Sequence, residues 1–189
     1  IDYSDPFAAL AFRFFFVSIG FLIFSLTIKN SLKSSFKNII QSIFSGILFH
    51  GFYLGGVFYS ISIGMPTGLT ALIVTLQPVL TNILAGPLLK EKILKSQWIG
   101  MTLGFIGAFL VLGFDIGNSL PVKGIFAAFI SLLAITFSTI WQKKSGNDLP
   151  LSSSNAYQAI GGCMFHLLIV FFIAEPEINF SLTFILAIS

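Results

Sequence analysis

Long apolar runs alternate with short polar joins along the whole chain. Six runs are complete: Pro6–Ile28, Asn38–Ile63, Thr67–Leu89, Gln97–Phe114, Val122–Gln142 and Ser154–Ala174. A seventh starts near Phe180 and continues to Ser189. A helix needs roughly 20 apolar residues to cross a bilayer, so each complete run predicts a membrane span. The joins read "KNSLKSSFK", "GMPT", "KEKILKS", "DIGNSLP", "KKSGNDLPLSS" and "EPEINF". Strand barrels fit poorly, because these runs are about twice the length of a spanning strand and do not alternate. The fold class expected is therefore an all-α polytopic membrane protein.

Composition removes the soluble alternatives. Of the 189 residues, 56% are hydrophobic and 9% are charged. Soluble domains carry about a quarter charged residues. One core of this size could not hide 23 Phe, so the solvent is lipid. Net charge is +3, but the Lys residues alternate with apolar runs and do not pool into a nucleic-acid patch. Cys163, the one cysteine, excludes an internal disulfide and a Cys-cluster metal site. No cofactor and no metal are expected. The ends, "IDYSDPF" and "SLTFILAIS", read as cuts through a longer membrane protein.

Charge also orients the spans. The first, third and fifth joins hold Lys29, Lys33, Lys37, Lys90, Lys92, Lys95, Lys143 and Lys144, eight of the ten basic residues. The other side holds Lys123 with Asp2, Asp5, Asp115, Glu175 and Glu177. Short Lys-rich loops stay in the cytoplasm, so loops 29–37, 90–96 and 143–153 are predicted cytoplasmic, in an inner or plasma membrane. The first helix then runs inward. An odd number of spans precedes Ile1 if the native N-terminus is cytoplasmic.

Polar residues inside the spans carry the candidate chemistry. Gln77 and Pro78 interrupt the third run at its middle. Pro78 has no N–H to offer the carbonyl of Val74, so the helix can bend there. Thr67, Thr70, Gln77 and Thr81 fall within roughly 80° of one another at about 100° per residue. A polar stripe beside a hinge suits a helix lining a transport path. The plainer reading is a kink with Gln77 bonded to a neighbouring helix. On the second run, Ser42, Gly46, His50, Tyr53 and Ser60 share a similar arc. His50 is near mid-span and could exchange a proton, or it could be a neutral helix-contact residue. Arg13 lies about 10 Å of helix in from the outer end. It could hold an anionic group or snorkel to the headgroups.

The later runs repeat the pattern. Ser131, Ser138 and Gln142 share a face, as do Ser154, Gln158 and Gly161, with Tyr157 at the stripe's edge. These could complete the wall opposite Gln77. His166 points about 80° away from Gln158 and reads as a packing residue. Gly51-x-x-x-Gly55 and Gly100-x-x-x-Gly104 let helices approach closely.

The third and fourth runs together, "GLTALIVTLQPVLTNILAGPLLKEKILKSQWIGMTLGFIGAFLVL", resemble the EamA family of the drug/metabolite transporter superfamily. The shared features are Ala71, Pro78, Glu91, Trp98–Gly100, and Gly104 with Gly107. "DPFAALAFRFFF" resembles the family's second helix, and "DLPLSSSNAYQAIGG" the corresponding helix of its second half. Lys90 departs from the pattern, since many members have Gly before the Glu. The resemblance implies a ten-helix bundle of two inverted five-helix repeats. Residues 1–114 would be the first repeat without its first helix, 115–121 an extracytoplasmic linker, and 122–189 a truncated second repeat.

The function expected from stripes and resemblance together is secondary transport of small polar metabolites, amino acids or related compounds. The mechanism would be alternating access and the direction export. The pathway candidates are Arg13, His50, Tyr53, Thr70, Gln77, Pro78, Thr81, Gln142, Tyr157 and Gln158. Partners are the lipid bilayer, a small-molecule metabolite and, through His50 or residues elsewhere, protons. No nucleic acid is expected. A nucleotide-sugar or phosphate-ester exchanger of the same fold is the nearest alternative, but only Arg13 offers it a buried cation. A non-transport assembly subunit would confine polar residues to helix contacts. An intramembrane enzyme is disfavoured: no complete span holds Asp or Glu, and no Gly-x-Ser-x-Gly or His-Glu-x-x-His occurs.

Overall fold

A computed structural model describes residues 5–90, 94–112, 120–146 and 148–172. Glu91, most of the 115–121 linker and the run from Phe180 lie outside the described residues. Every described element is helical, with no strand among the described residues. The chain is an all-α polytopic membrane protein. Among the described residues five helices are long and apolar enough to cross a membrane: α1 (Pro6–Thr27), α2 (Phe36–Ser62), α3 (Thr67–Leu89), α5 (Val122–Ser145) and α6 (Leu151–Phe172). The fourth predicted run forms α4 (Lys95–Leu112), which falls outside that group.

Local chemistry explains the boundaries. Asp5 caps α1, its Oδ1 accepting from the backbone N–H of Phe7 at 2.8 Å and Ala8 at 3.0 Å. Pro6 follows in the first turn, where a missing N–H leaves no bond unmade. Ser35 caps α2 by accepting from Asn38 N–H at 3.2 Å. Helix α5 ends at Gly146, whose φ of +55° suits glycine, with Lys143 and Lys144 in the last turn.

Two spans are irregular. Residues Ile47–Leu54 of α2 are π-helical, a widened turn in mid-span. Helix α3 is two segments, Thr67–Val74 and Gln77–Leu89. The break falls at Thr75 and Leu76, one residue before Gln77. Pro78 therefore stands in the first turn of a new segment. The interruption is local, since Thr75 and Leu76 keep right-handed backbone angles and hydrogen-bond back to Ala71 and Ile73.

The order in space differs from the order in sequence. Contacts run from α1 to α6, α6 to α2, α2 to α5, α5 to α3 and α3 to α4. The last two helices are interleaved between the first three. Loops 29–35 and 146–150 lie at one end, since Ser25 and Asn30 hydrogen-bond Ser152. Small residues allow this packing. Gly124, Ala127, Ala128, Ser131, Ala134 and Ser138 are buried on α5. Glycines bring α2 and α6 to backbone contact: a Cβ on Gly46 would overlap the Gln158 carbonyl, and one on Gly161 the Ile43 carbonyl. Gly51 and Gly55 pack on Phe165 and His166. Gly100 and Gly104 meet nothing within 4 Å among the described residues. Large apolar side chains such as Phe15, Phe16, Ile23 and Phe24 face outward, as a lipid solvent allows.

Candidate functional site

Helix α2 packs against both α5 and α6, so the three helices are neighbours. At the Lys-rich end they enclose a polar vestibule of about 210 Å³, whose polar lining includes Gln41, Ser42, Ser45, Gln142, Ser154 and Gln158. Its walls are held by hydroxyl contacts between helices. Ser42 and Ser154 are 3.2 Å apart, and Ser45 and Ser138 are 3.1 Å apart. Each glutamine of α5 and α6 donates one turn back along its own helix: Gln142 Nε2 to Ser138 Oγ at 3.2 Å, Gln158 Nε2 to Ser154 Oγ at 3.3 Å. The Oε1 of Gln41 is buried with no hydrogen-bond partner among the described residues. Below this vestibule the contacts at Gly46 and Gly161 seal the helices together.

Beside the vestibule a second hydroxyl cluster fastens the end of α1 to the start of α6. Ser25 donates to Ser152 at 2.8 Å and lies 3.2 Å from Ser153. Asn30 donates to Ser152 at 2.9 Å, Ser153 to the Ser31 carbonyl at 3.0 Å, and Tyr157 to the Leu32 carbonyl at 2.8 Å. Tyr157 thus binds a loop carbonyl and is not among the residues lining the vestibule.

One turn deeper is an aromatic and imidazole layer. His166 is fully buried, and its Nε2 donates to the backbone carbonyl of His50 at 2.9 Å. The carbonyl belongs to the π-helical turn. Phe14 stands 4.5 Å from the His50 ring and 5.9 Å from the His166 ring, between centroids. Both Nδ1 atoms are buried without a partner among the described residues. His50 is half-buried, with Gly162 of α6 against its Cβ. Arg13 is exposed on α1, one residue before the Phe14 that packs against both imidazoles. Tyr53 is half-buried and edge-on to Phe49 at 5.4 Å.

Of the α3 candidates, Thr70 and Gln77 meet neighbouring helices, whereas, among the described residues, Pro78 does not. Thr70 is buried, 3.3 Å from Ser60, and Ser60 donates to the Gly124 carbonyl at 2.9 Å. Gln77 Nε2 donates to Thr139 on α5 at 3.3 Å and reaches Thr81 at 3.5 Å. Pro78 is exposed beside them. The vestibule therefore gathers Gln142 and Gln158. His50 and Arg13 occupy the middle layer, and Gln77, Thr81 and Thr70 occupy the α3 contact. At the far end α2, α5 and α6, with Phe7 of α1, line an apolar crevice of about 420 Å³ bordered by Tyr59 and Lys123.

Sequence reasoning passed over Gln41, Ser45 and Thr139, and it assigned Ser152 and Ser153 to a loop. Pro150 one residue before Leu151 was the available signal that α6 begins earlier.

Residues 1–113 match the model of the EamA-like transporter family. The uncharacterized transporter YvbV of Bacillus subtilis (strain 168) is 28% identical over 69% of this chain and 41% of its own length. An uncharacterized transporter of Buchnera aphidicola subsp. Schizaphis graminum is 29% identical over 95% of this chain and 60% of its own. The uncharacterized transporter YyaM of Bacillus subtilis is 26% identical over 93% and 59% respectively. The chain thus spans between 41% and 60% of the length of these relatives. No solved structure gives a significant match.

Proposed function

The chain belongs to the EamA-like transporter family, and from that premise we propose that it moves small polar metabolites, amino acids or related compounds, out of the cell by alternating access. One observation carries the reading. Helices α2, α5 and α6 border a polar vestibule on one side and an apolar crevice on the other, with α2 and α6 in backbone contact between the two. Two pockets flanking a tight helix contact suit a carrier that opens one side at a time. The junction before Gln77, where Pro78 has no N–H to give, supplies a point where α3 can bend.

The inverted-repeat plan, 1–114 against 122–189 across a 115–121 linker, is part of this proposal. The packing of α1 along α6 supports it, since these are the helices whose sequences resemble equivalent members of the two halves. The location in an inner or plasma membrane with Lys-rich loops inside follows from the charge asymmetry. Loops 29–35 and 146–150 lying at one end of the bundle agree with their shared side.

Uptake and efflux of a labelled metabolite panel test this, in vesicles carrying the full-length protein with and without a pH gradient. Outward flux of amino acids is expected. Flux no greater than in protein-free vesicles across the whole panel ends the reading.

A further inference from the structure

The vestibule at the Lys-rich end has a chemistry more specific than polarity. Its polar lining is amide and hydroxyl: Gln41, Ser42, Ser45, Gln142, Ser154 and Gln158. None of these side chains ionises. A net charge brought into such a setting loses its hydration without gaining an ion partner, whereas a neutral hydrogen-bonding group, or a zwitterion whose two charges offset each other, exchanges water at lower cost. Gln41 lines the space, and its buried Oε1 has no partner among the described residues, so its amide keeps acceptor capacity that a side-chain rotation would present to a solute. The volume of about 210 Å³ equals roughly seven waters at about 30 Å³ each, the scale of a small metabolite. The glycine contacts of α2 and α6 close its inner end, so a solute entering from the Lys-rich face would stop beside Gln158.

We propose that this vestibule is a binding site for a small solute without net charge, rich in amide, hydroxyl or zwitterionic groups, and that it disfavours phosphate esters. The assignment deepens the transport reading and rests on it for its place in a transport cycle, but binding itself can be measured apart from flux.

The test uses full-length protein in which Cys163 and any other cysteine are replaced by Ser, with Ser145→Cys placed in the vestibule wall. Labelling of that cysteine by a maleimide is followed with L-glutamine, L-serine or glycerol added, and separately with glycerol 3-phosphate or L-glutamate. At least one neutral probe is expected to slow labelling, and the anionic probes are not. Gln158→Leu is expected to raise the protecting concentration at least ten-fold. Gln158→Asn, which keeps an amide and guards against a folding artefact, should shift it less. Equal protection by glycerol 3-phosphate, protection insensitive to Gln158→Leu, or no protection by any neutral probe overturns the assignment. Protection without any flux would uphold this site while removing the transport reading. Flux that is indifferent to Gln158→Leu and Gln41→Leu would do the reverse.

Discussion

His166 Nε2 donates to the backbone carbonyl of His50 at 2.9 Å, from a fully buried ring. The acceptor sits inside the π-helical turn Ile47–Leu54. A wide turn disturbs the regular ladder, and an imidazole from the neighbouring helix meets one of its carbonyls at bilayer depth, where water does not reach. The bond also fixes the tautomer: with Nε2 donating, the Nδ1 of a neutral ring is an acceptor. His166→Phe keeps the ring contacts with Phe14 but orphans the carbonyl. The expected loss is about 1–3 kcal/mol, read as a lower midpoint of thermal unfolding in detergent. An unchanged midpoint would show that the bond contributes nothing to the helix contact.

Gly46 and Gly161 hold α2 and α6 at backbone distance. Gly161→Val places branched carbons where the Ile43 carbonyl lies, so the helices must separate. Overpacking of this kind costs about 1–3 kcal/mol. Gly20→Ala is the contrast, because a Cβ there meets nothing within 4 Å. It should be neutral or gain up to about 1 kcal/mol of helix propensity. Paired melts of the two variants check the difference. Equal behaviour would mean that the α2–α6 contact is loose.

Span ends were legible because apolar length is a one-dimensional property. Thr67–Leu89 is reproduced at both ends, and α1 differs by one residue. The larger shift, at the start of α6, arises because Ser152 and Ser153 look like loop residues until their hydroxyls find Ser25. The interleaving of α5 and α6 among the first three helices has no local signal, since it depends on which small-residue faces meet. The π-helical turn was equally hidden. It changes the phase of α2, so an arc drawn at 100° per residue through Ser42, His50 and Ser60 does not describe one face. Ser45 precedes that turn and lies about 60° from Ser42 at 100° per residue; the drawn stripe left it out, yet it meets Ser138.

Three substitutions probe the membrane-embedded polar groups under the transport proposal. Gln77→Leu removes the amide that reaches Thr139 beside the α3 break. His50→Phe removes the half-buried imidazole against Phe14. Arg13→Gln removes the nearby cation. Each is expected to lower flux at least ten-fold, a change of about 1.4 kcal/mol or more, while membrane expression stays normal. Full flux in all three would remove these residues from the pathway. Loss of expression together with flux would make them structural.

Lys90 adopts φ of +56° and ψ of +34° at the end of α3. This is the left-handed region, where the Cβ of an L-residue crowds the following carbonyl at a cost of roughly 1–2 kcal/mol. Glycine has no such penalty but loses more chain entropy on folding, by roughly 0.5–1 kcal/mol. The resemblance that places Gly here in many EamA sequences therefore has a physical basis, and Lys90 is the exception. Gly146 occupies the same conformation at the end of α5 with φ of +55°. Lys90→Gly should stabilise by up to about 1 kcal/mol, whereas Lys90→Val, branched at Cβ, should destabilise. Gly146→Lys should lower stability by a similar amount, recreating the strain at a second helix end. Unfolding midpoints of the three variants decide the matter: a Lys90→Gly protein less stable than the parent would mean that the Lys90 side chain makes a contact worth more than its backbone strain.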